Sequence, residues 1–395
     1  MEHTKIRYFR KVVFILEKGL FYSYSDECKT NYFTNSLNVQ FPACKELNYY
    51  SISSVIFESN YYKNQFEDEW RALRAKYNIP KNECLHFAEF KKLFSKTHIQ
   101  NIQKYKCVEG DFKTMDMETI IAKYLLNVDS PNVATFLTKV KKSLSLDDSD
   151  LSAYSTFYDE ERSEEQSKSD LKSFFNDLKQ LLSSAEFTII NTDYVNTKRQ
   201  YVNKGTKGLT KKKSNPPENI AKLAPRITFK QQLDLIIEHL LTEEIEGQLY
   251  LNQNLTSERY IKIRFDADGK NFDAKNDLKA AFNESLTIGT ERFLQETAVK
   301  LLDEIRFIRK EEVGSEYTPP HCGSEVVDFI CSLICTLTRY EFLTARGFID
   351  EESITINDYV NFKFIDYEEQ DVDSVDFEEV LNNKLVLCIT IDHTY

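Results

Sequence analysis

The sequence contains no CxxC pair, no G-x-S-x-G turn and no phosphate loop ending in GK[ST]. The first absence removes the compact zinc and thiol-redox frameworks. The second removes the nucleophile elbow of an α/β-hydrolase, and the third a phosphate-loop nucleotide site. No apolar run approaches the roughly 18–20 residues that cross a bilayer. The best candidate, "VVDFICSLICTL", is short and carries Asp328, so it reads as a buried core helix and no membrane partner is expected. The eight cysteines are scattered, and Cys331 and Cys335 stand four apart on that helix, the spacing of buried free thiols. With no signal peptide evident, a reducing cytoplasm is the expected location. Glycine is scarce, at 10 residues, and there is no internal repeat.

What is present is a chain of 395 residues, 41% hydrophobic and 29% charged, with 22 Tyr and 28 Phe. That length builds one large elaborated domain or two ordinary ones. The net charge of −12 argues against nucleic-acid binding by bulk charge. Local clustering of Lys and Arg weakens that argument.

Along the chain, "LFYSYSDE" and "YYSISSVIFES" read as strands. A helix with Phe66, Trp70, Leu73 and Tyr77 at helical spacing follows and stops by Pro80. Residues 144–170 are rich in Ser, Asp and Glu and read as an exposed connection. "AEFTIINTDYV" is a strand ending at Asp193, and "RYIKIRFDADG" a strand ending at Asp266 and Asp268. "GSEVVDFICSLICTLTRYEFL" is a long helix, and the segment from 344 onward is very acidic. Strands alternating with helices predict an α/β mixed sheet flanked by helices on both faces. The expected division is a domain over 1–343, with an acidic insertion at 144–170 and a basic one at 196–226, then an acidic C-terminal extension over 344–395.

Ligand sites in such sheets form where strand ends converge. Asp26 and Glu27, Asp193, Asp266 and Asp328 come from four separate elements. Clustered carboxylates repel one another unless a cation neutralises them, and Mg²⁺ and Mn²⁺ take oxygen ligands. Two such ions about 4 Å apart activate water and stabilise the leaving oxygen in phosphodiester hydrolysis. Plainer readings stand beside this one. Asp26-Glu27 could be a solvated strand end, Asp193 an Asx-turn residue, and Asp328 the partner of Arg339 or Lys310. "DADG" lacks the rest of an EF-hand.

This pattern resembles a bacterial and phage family, domain of unknown function 3800, a divergent branch of the ribonuclease-H-like nuclease fold. "SDEC" is similar to its first motif at Asp26 and Glu27, and "ECLHFAEFK" to its Glu-x-His-like segment around His86. "TDYV" brings Asp193, "RFDADG" brings Asp266, and "SEVVD" brings Asp328 to its last motif. The resemblance spans about residues 18–342. It implies a ribonuclease-H-like sheet, a nuclease activity with Mg²⁺ or Mn²⁺ held by Asp26, Asp193, Asp266 and Asp328, with Glu27 as an extra ligand or a support behind the ligands, and a role in phage defence or mobile-element maintenance. Cys28 and Lys29 depart from the family's Ser-Gly, Asp268 from its Arg, and Glu325 from its Gln.

The segment after Asp193 carries Lys198, Arg199, Lys204, Lys207, Lys211, Lys212 and Lys213, with Tyr201 among them. Such a loop fits the phosphate backbone of DNA or RNA, and Tyr201 could stack on a base. It could equally be solvated, or clamp the protein's own acidic tail. His86 and Glu89 form H-x-x-E, which is not a zinc motif. His86 reads either as a structural histidine or as a general acid or base beside the metals. The leading expectation is a metal-dependent nuclease. The alternative is a catalytically inactive module in a multi-protein complex, such as one containing an ATPase.

Overall fold

Alternation of side chains along the strands builds the core of this protein. The computed structural model describes residues 3–8, 19–30, 47–81, 84–93, 96–124, 132–158, 162–197, 218–246, 248–266, 272–308, 322–347, 362–364 and 373–393. The strands are β1 (His3–Tyr8), β2 (Gly19–Thr30), β3 (Leu47–Glu58), β4 (Thr188–Thr197), β5 (Thr242–Ile245), β6 (Gln248–Leu251), β7 (Arg259–Asp266), β8 (Leu302–Ile308), β9 (Phe362–Phe364), β10 (Asp373–Val375) and β11 (Leu385–His393). Seven of them form one sheet in the order β1-β11-β4-β3-β2-β7-β8. β3 runs antiparallel to both β2 and β4, while β2, β7 and β8 are mutually parallel, as are β4 and β11.

One face of this sheet is apolar. Phe21, Ile52, Ile56, Ile190, Ile261, Ile263 and Phe265 pack against helices α8 (Glu218–Leu241), α9 (Phe272–Ile288) and α10 (Gln295–Leu301). Each such side chain, fully buried, contributes about 1.5–3 kcal/mol. The residues between them point to the other face, which helix α11 (Cys322–Ala345) covers along β2 and β3. α11 begins close to the sheet because its second residue is glycine. A Cβ on Gly323 would fall 2.3 Å from the Tyr24 ring. Tyr24 packs in turn against Tyr62 and Phe57, and Phe57 against Phe66. The expected mixed α/β sheet with helices on both faces is therefore present.

The chain separates into two units: 1–71, 180–361 and 376–395 form the sheet unit, and 72–179 with 362–375 the helical unit. The helical unit holds the end of α1 (Glu67–Lys76), then α2 (Phe87–Lys92), α3 (Lys96–Asp111), α4 (Met117–Tyr124), α5 (Val133–Ser143), α6 (Asp148–Phe157) and most of α7 (Glu164–Ser184). Its core is aromatic, with Phe90, Phe157 and Phe174 in mutual contact.

Three expectations are corrected here. Residues 144–170 are largely helical: Asp147 and Asp150 make a reciprocal capping box that starts α6, so the acids are helix-start signals and not a loop signature. The boundary expected at 343/344 matches no boundary of either unit. The C-terminal segment is also no appendage: after α12 (Glu378–Lys384), β11 lies inside the main sheet, between β1 and β4.

Candidate active site

The acids expected to end strands mostly lie within them. β2 continues to Thr30, with Asp26 opposite Ser53 and Glu27 opposite Ile52. β4 continues to Thr197, and Asp193 is paired with Ser51 on one side and Thr390 on the other. Of Asp26, Glu27, Asp193 and Asp266, only Asp266 stands at a strand end. The terminus readings of Asp26, Glu27 and Asp193 are therefore corrected: pairing from β3 and β11 prolongs both strands past their acidic residues.

A strand turns successive side chains to opposite faces, and this separates Asp26 from Glu27. Glu27 shares the apolar side with Tyr50, whose hydroxyl donates to its Oε2. Burial first, and the Glu27 charge after it, raise the Tyr50 phenol well above its usual range. Asp26, 9% exposed, shares the α11 side. Its Oδ1 accepts from the Glu27 amide at 2.7 Å, and its backbone carbonyl accepts from the Cys331 thiol at 3.4 Å.

Register aligns the other acids with Asp26. Ser25 pairs with Phe265 between parallel β2 and β7, so Asp26 and Asp266 are the next rung, on one face of adjacent strands. Adjacent strands lie about 4.8 Å apart. Asp193 is on the same face but two strands away and one rung displaced, since Ser53 faces Asn191 and Ser51 faces Asp193. Asp328, half-buried on α11, lies near enough to Cys28 to act on its charge.

Asp193 is completely buried. Its Oδ1 accepts from Asn191 Nδ2 at 2.9 Å, while its Oδ2 has no hydrogen-bond partner among the described residues. Burial pushes its carboxyl above the usual carboxylate range, against the polar influence of Ser51, Asn191, Tyr49 and Thr338. Asn191 was not singled out in the sequence, yet its Oδ1 accepts from both Ser51 and Ser53, at 3.0 and 2.7 Å. Its only sequence signal is its place two residues before Asp193, on the same face of a strand.

α11 lines the site with Asp328, Cys331, Cys335, Thr338 and Arg339. Tyr49 Oη and Thr338 Oγ1 are 2.8 Å apart, and Arg339 stacks on the Tyr49 ring at 5.6 Å. Arg339 Nε donates to the Cys335 carbonyl at 3.0 Å. Cys28, where the resembled family has Ser, meets the Cys335 thiol, which lowers the Cys28 pKa with help from Arg339. Glu325, one turn before Asp328, is fully buried and accepts from Trp70 Nε1 at 2.6 Å.

His86 belongs to the helical unit, whereas the four aspartates belong to the sheet unit. It lines a small cavity there with Cys84, Glu89, Phe90 and Ser149. The basic segment with Lys198, Arg199, Tyr201, Lys204, Lys207, Lys211, Lys212 and Lys213 lies outside the described residues, as do Asp268 and Lys310. Among the described residues, no three His, Cys, Asp or Glu side chains converge closely enough to hold one ion. No helix among them is long and apolar enough to cross a membrane. No protein family, curated protein or solved structure matches this chain.

Proposed function

We propose that the α11 face of the sheet is the active site of a divalent-metal-dependent nuclease on a ribonuclease-H-like core. The observation that carries this reading is the common face and common rung of Asp26 and Asp266 on adjacent parallel strands. What supports the core assignment is the order β4-β3-β2-β7-β8, an antiparallel meander extended on the β2 side by two parallel strands, as a ribonuclease-H-like sheet would have.

The donor set suits a hard cation. Mg²⁺ uses one or two carboxylates and completes its shell with waters and substrate phosphate oxygens, so convergence of three protein groups is not required. Asp26 and Asp266 would hold it, and Asp328 on α11 would reach only its bound waters. Asp193, fully buried and two strands from Asp26, suits a supporting position better than a direct ligand. The cation would supply charge neutralisation and polarisation of the scissile phosphate. The chain's own part is to hold Asp193 through the Asn191 amide, itself fixed by Ser51 and Ser53, and to cover β2 and β3 with α11. Glu27, turned to Tyr50, is outside this set.

The test compares wild type with Asp26→Asn on labelled DNA and RNA, with Mg²⁺ and with EDTA. The expected result is Mg²⁺-dependent cleavage by wild type alone. Equal cleavage by both proteins, or none by wild type, overturns the reading. The second outcome would favour an inactive interaction module, a reading that draws on the complete burial of Asp193 and the thiols around Cys28.

A further inference from the structure

We propose that the β7–β8 flank of the same face is a phosphate-backbone binding strip, formed by Lys63, Lys262, Arg264 and Arg306, that leads a nucleic-acid strand to Asp26 and Asp266. The destination of the strand rests on the nuclease reading; the binding does not.

Register builds the strip. Lys262 pairs with Glu304 and Arg264 with Arg306 across β7 and β8, while Tyr22 and Tyr24 flank them on β2. Lys262, Arg264 and Asp266 alternate onto one face, so the cations sit one and two rungs before the acids. A rung of two residues is roughly 7 Å, short enough for one extended strand to touch cations and carboxylates together. α11 packs chiefly on β2 and β3, and the apolar-side helices cover the opposite face of β7 and β8. Among the described residues the strip is open at its outer edge, where the Arg306 side chain is 65% exposed, and it closes inward, with Lys262 at 29% and Arg264 at 13%.

The charge is locally reversed in a chain whose net charge is −12. Glu304 alone accepts from Arg264 Nη2 at 2.6 Å and Arg306 Nε at 2.9 Å, with Lys262 Nζ 3.8 Å away. Lys262 also lies 3.6 Å from Asp303. Lys63 and Arg264 stand over the Tyr22 ring, at 5.4 and 5.7 Å. Glu67 pairs with Arg71 at 3.0 Å while also feeling the Lys63 charge, and Asp68 pairs with Arg71 at 3.1 Å. Lys262, Arg264 and Arg306 thus share two carboxylates, Asp303 and Glu304, and each guanidinium has five N–H donors, more than Glu304 can take. Phosphate oxygens are the acceptors this surplus fits, and they require no base preference. The next rung is anionic, which suits a phosphodiester with a bridging cation and disfavours an acidic peptide.

The experiment measures fluorescence anisotropy of labelled single-stranded DNA, single-stranded RNA and duplex DNA on the full chain carrying Asp26→Asn, in EDTA, across a KCl series. The expected result is binding whose log K falls linearly with log[KCl]. Adding Lys262→Glu and Arg306→Glu should weaken it at least about tenfold and lower the slope by about 1 or more. Arg306→Gln alone, at the most exposed position, should show a smaller loss of the same kind, with an unchanged melting temperature. Absence of binding, or unchanged affinity and slope in these variants, overturns the strip. The DNA and RNA arms identify which backbone it takes. Strip-dependent binding without Mg²⁺-dependent cleavage leaves the strip standing and removes the nuclease; Asp26-dependent cleavage untouched by the strip variants does the reverse.

Discussion

The two faces of the sheet are made by the same strands and have opposite characters. On one, Ile52, Ile190 and Ile263 meet the apolar sides of α8, α9 and α10, and Gln232 bridges Ser54, Thr192 and the Ile190 carbonyl. On the other, Asp26, Ser51, Ser53, Asn191 and Asp193 lie under α11 or beside it. Adjacency along a strand and adjacency on a face are separate properties of an acid. Adjacent carboxylates such as Asp26 and Glu27 part company, whereas Asp26 and Asp266, 240 positions apart, become neighbours through register.

The largest effect expected on this comparison is at the apolar face. Phe229 is fully buried and meets Phe265 edge-on at 5.6 Å. Phe229→Ala should cost about 3–5 kcal/mol in urea unfolding; a loss below about 1 kcal/mol would mean this face is not the main core. Next comes His239, buried on α8 with Nε2 3.0 Å from Thr188 Oγ1. Burial, then the nearby Arg259 charge, lowers it from 6.5 to about 4. Because the unfolded chain takes up this proton between pH 6.5 and 4 and the folded one does not, its contribution is full above pH 6.5. By pH 4 it should have fallen by about 3 kcal/mol. His239→Gln should flatten the difference between unfolding curves over that window; parallel curves would refute the buried neutral imidazole.

The polar face is tested by pairing sequence neighbours. Asp26→Asn should lower metal-dependent cleavage by about 100-fold, near 2.7 kcal/mol, and Glu27→Gln by less than about threefold. Equal losses would erase the functional difference between the faces. The smallest effect compares the two amides. Asn191→Ala and Gln232→Ala each strand buried hydroxyls, and each should cost about 1–3 kcal/mol by thermal or urea unfolding. A stabilised Asn191→Ala would instead mark the polar face as holding strain for function.

Much of the fold was legible. The period-two segments around Tyr22, Ile56, Ile189 and Ile263 became β2, β3, β4 and β7, and the apolar helix after Gly323 became α11. What was not legible depends on partners distant in the chain. β2 and β4 run past their acids because β3 and β11 pair with those residues, and no local signal announces that. β11 reads as part of an acidic tail because Asp- and Glu-rich sequence precedes it, although "LVLCITI" alternates as a strand does. Residues 144–170 read as a loop because the Asp and Ser that start helices are also the residues of loops.

Which side chains alternate together follows from the chain locally, because the pleat of a strand separates Asp26 from Glu27 whatever the fold. Tertiary structure alone decided which alternating sets meet. Strand order and register brought Asp266 beside Asp26, left Asp193 two strands away and buried, and laid α11 with Asp328 across them. Those pairings arise from long-range backbone hydrogen bonds and the burial of a shared apolar face, and neither is encoded within any single segment.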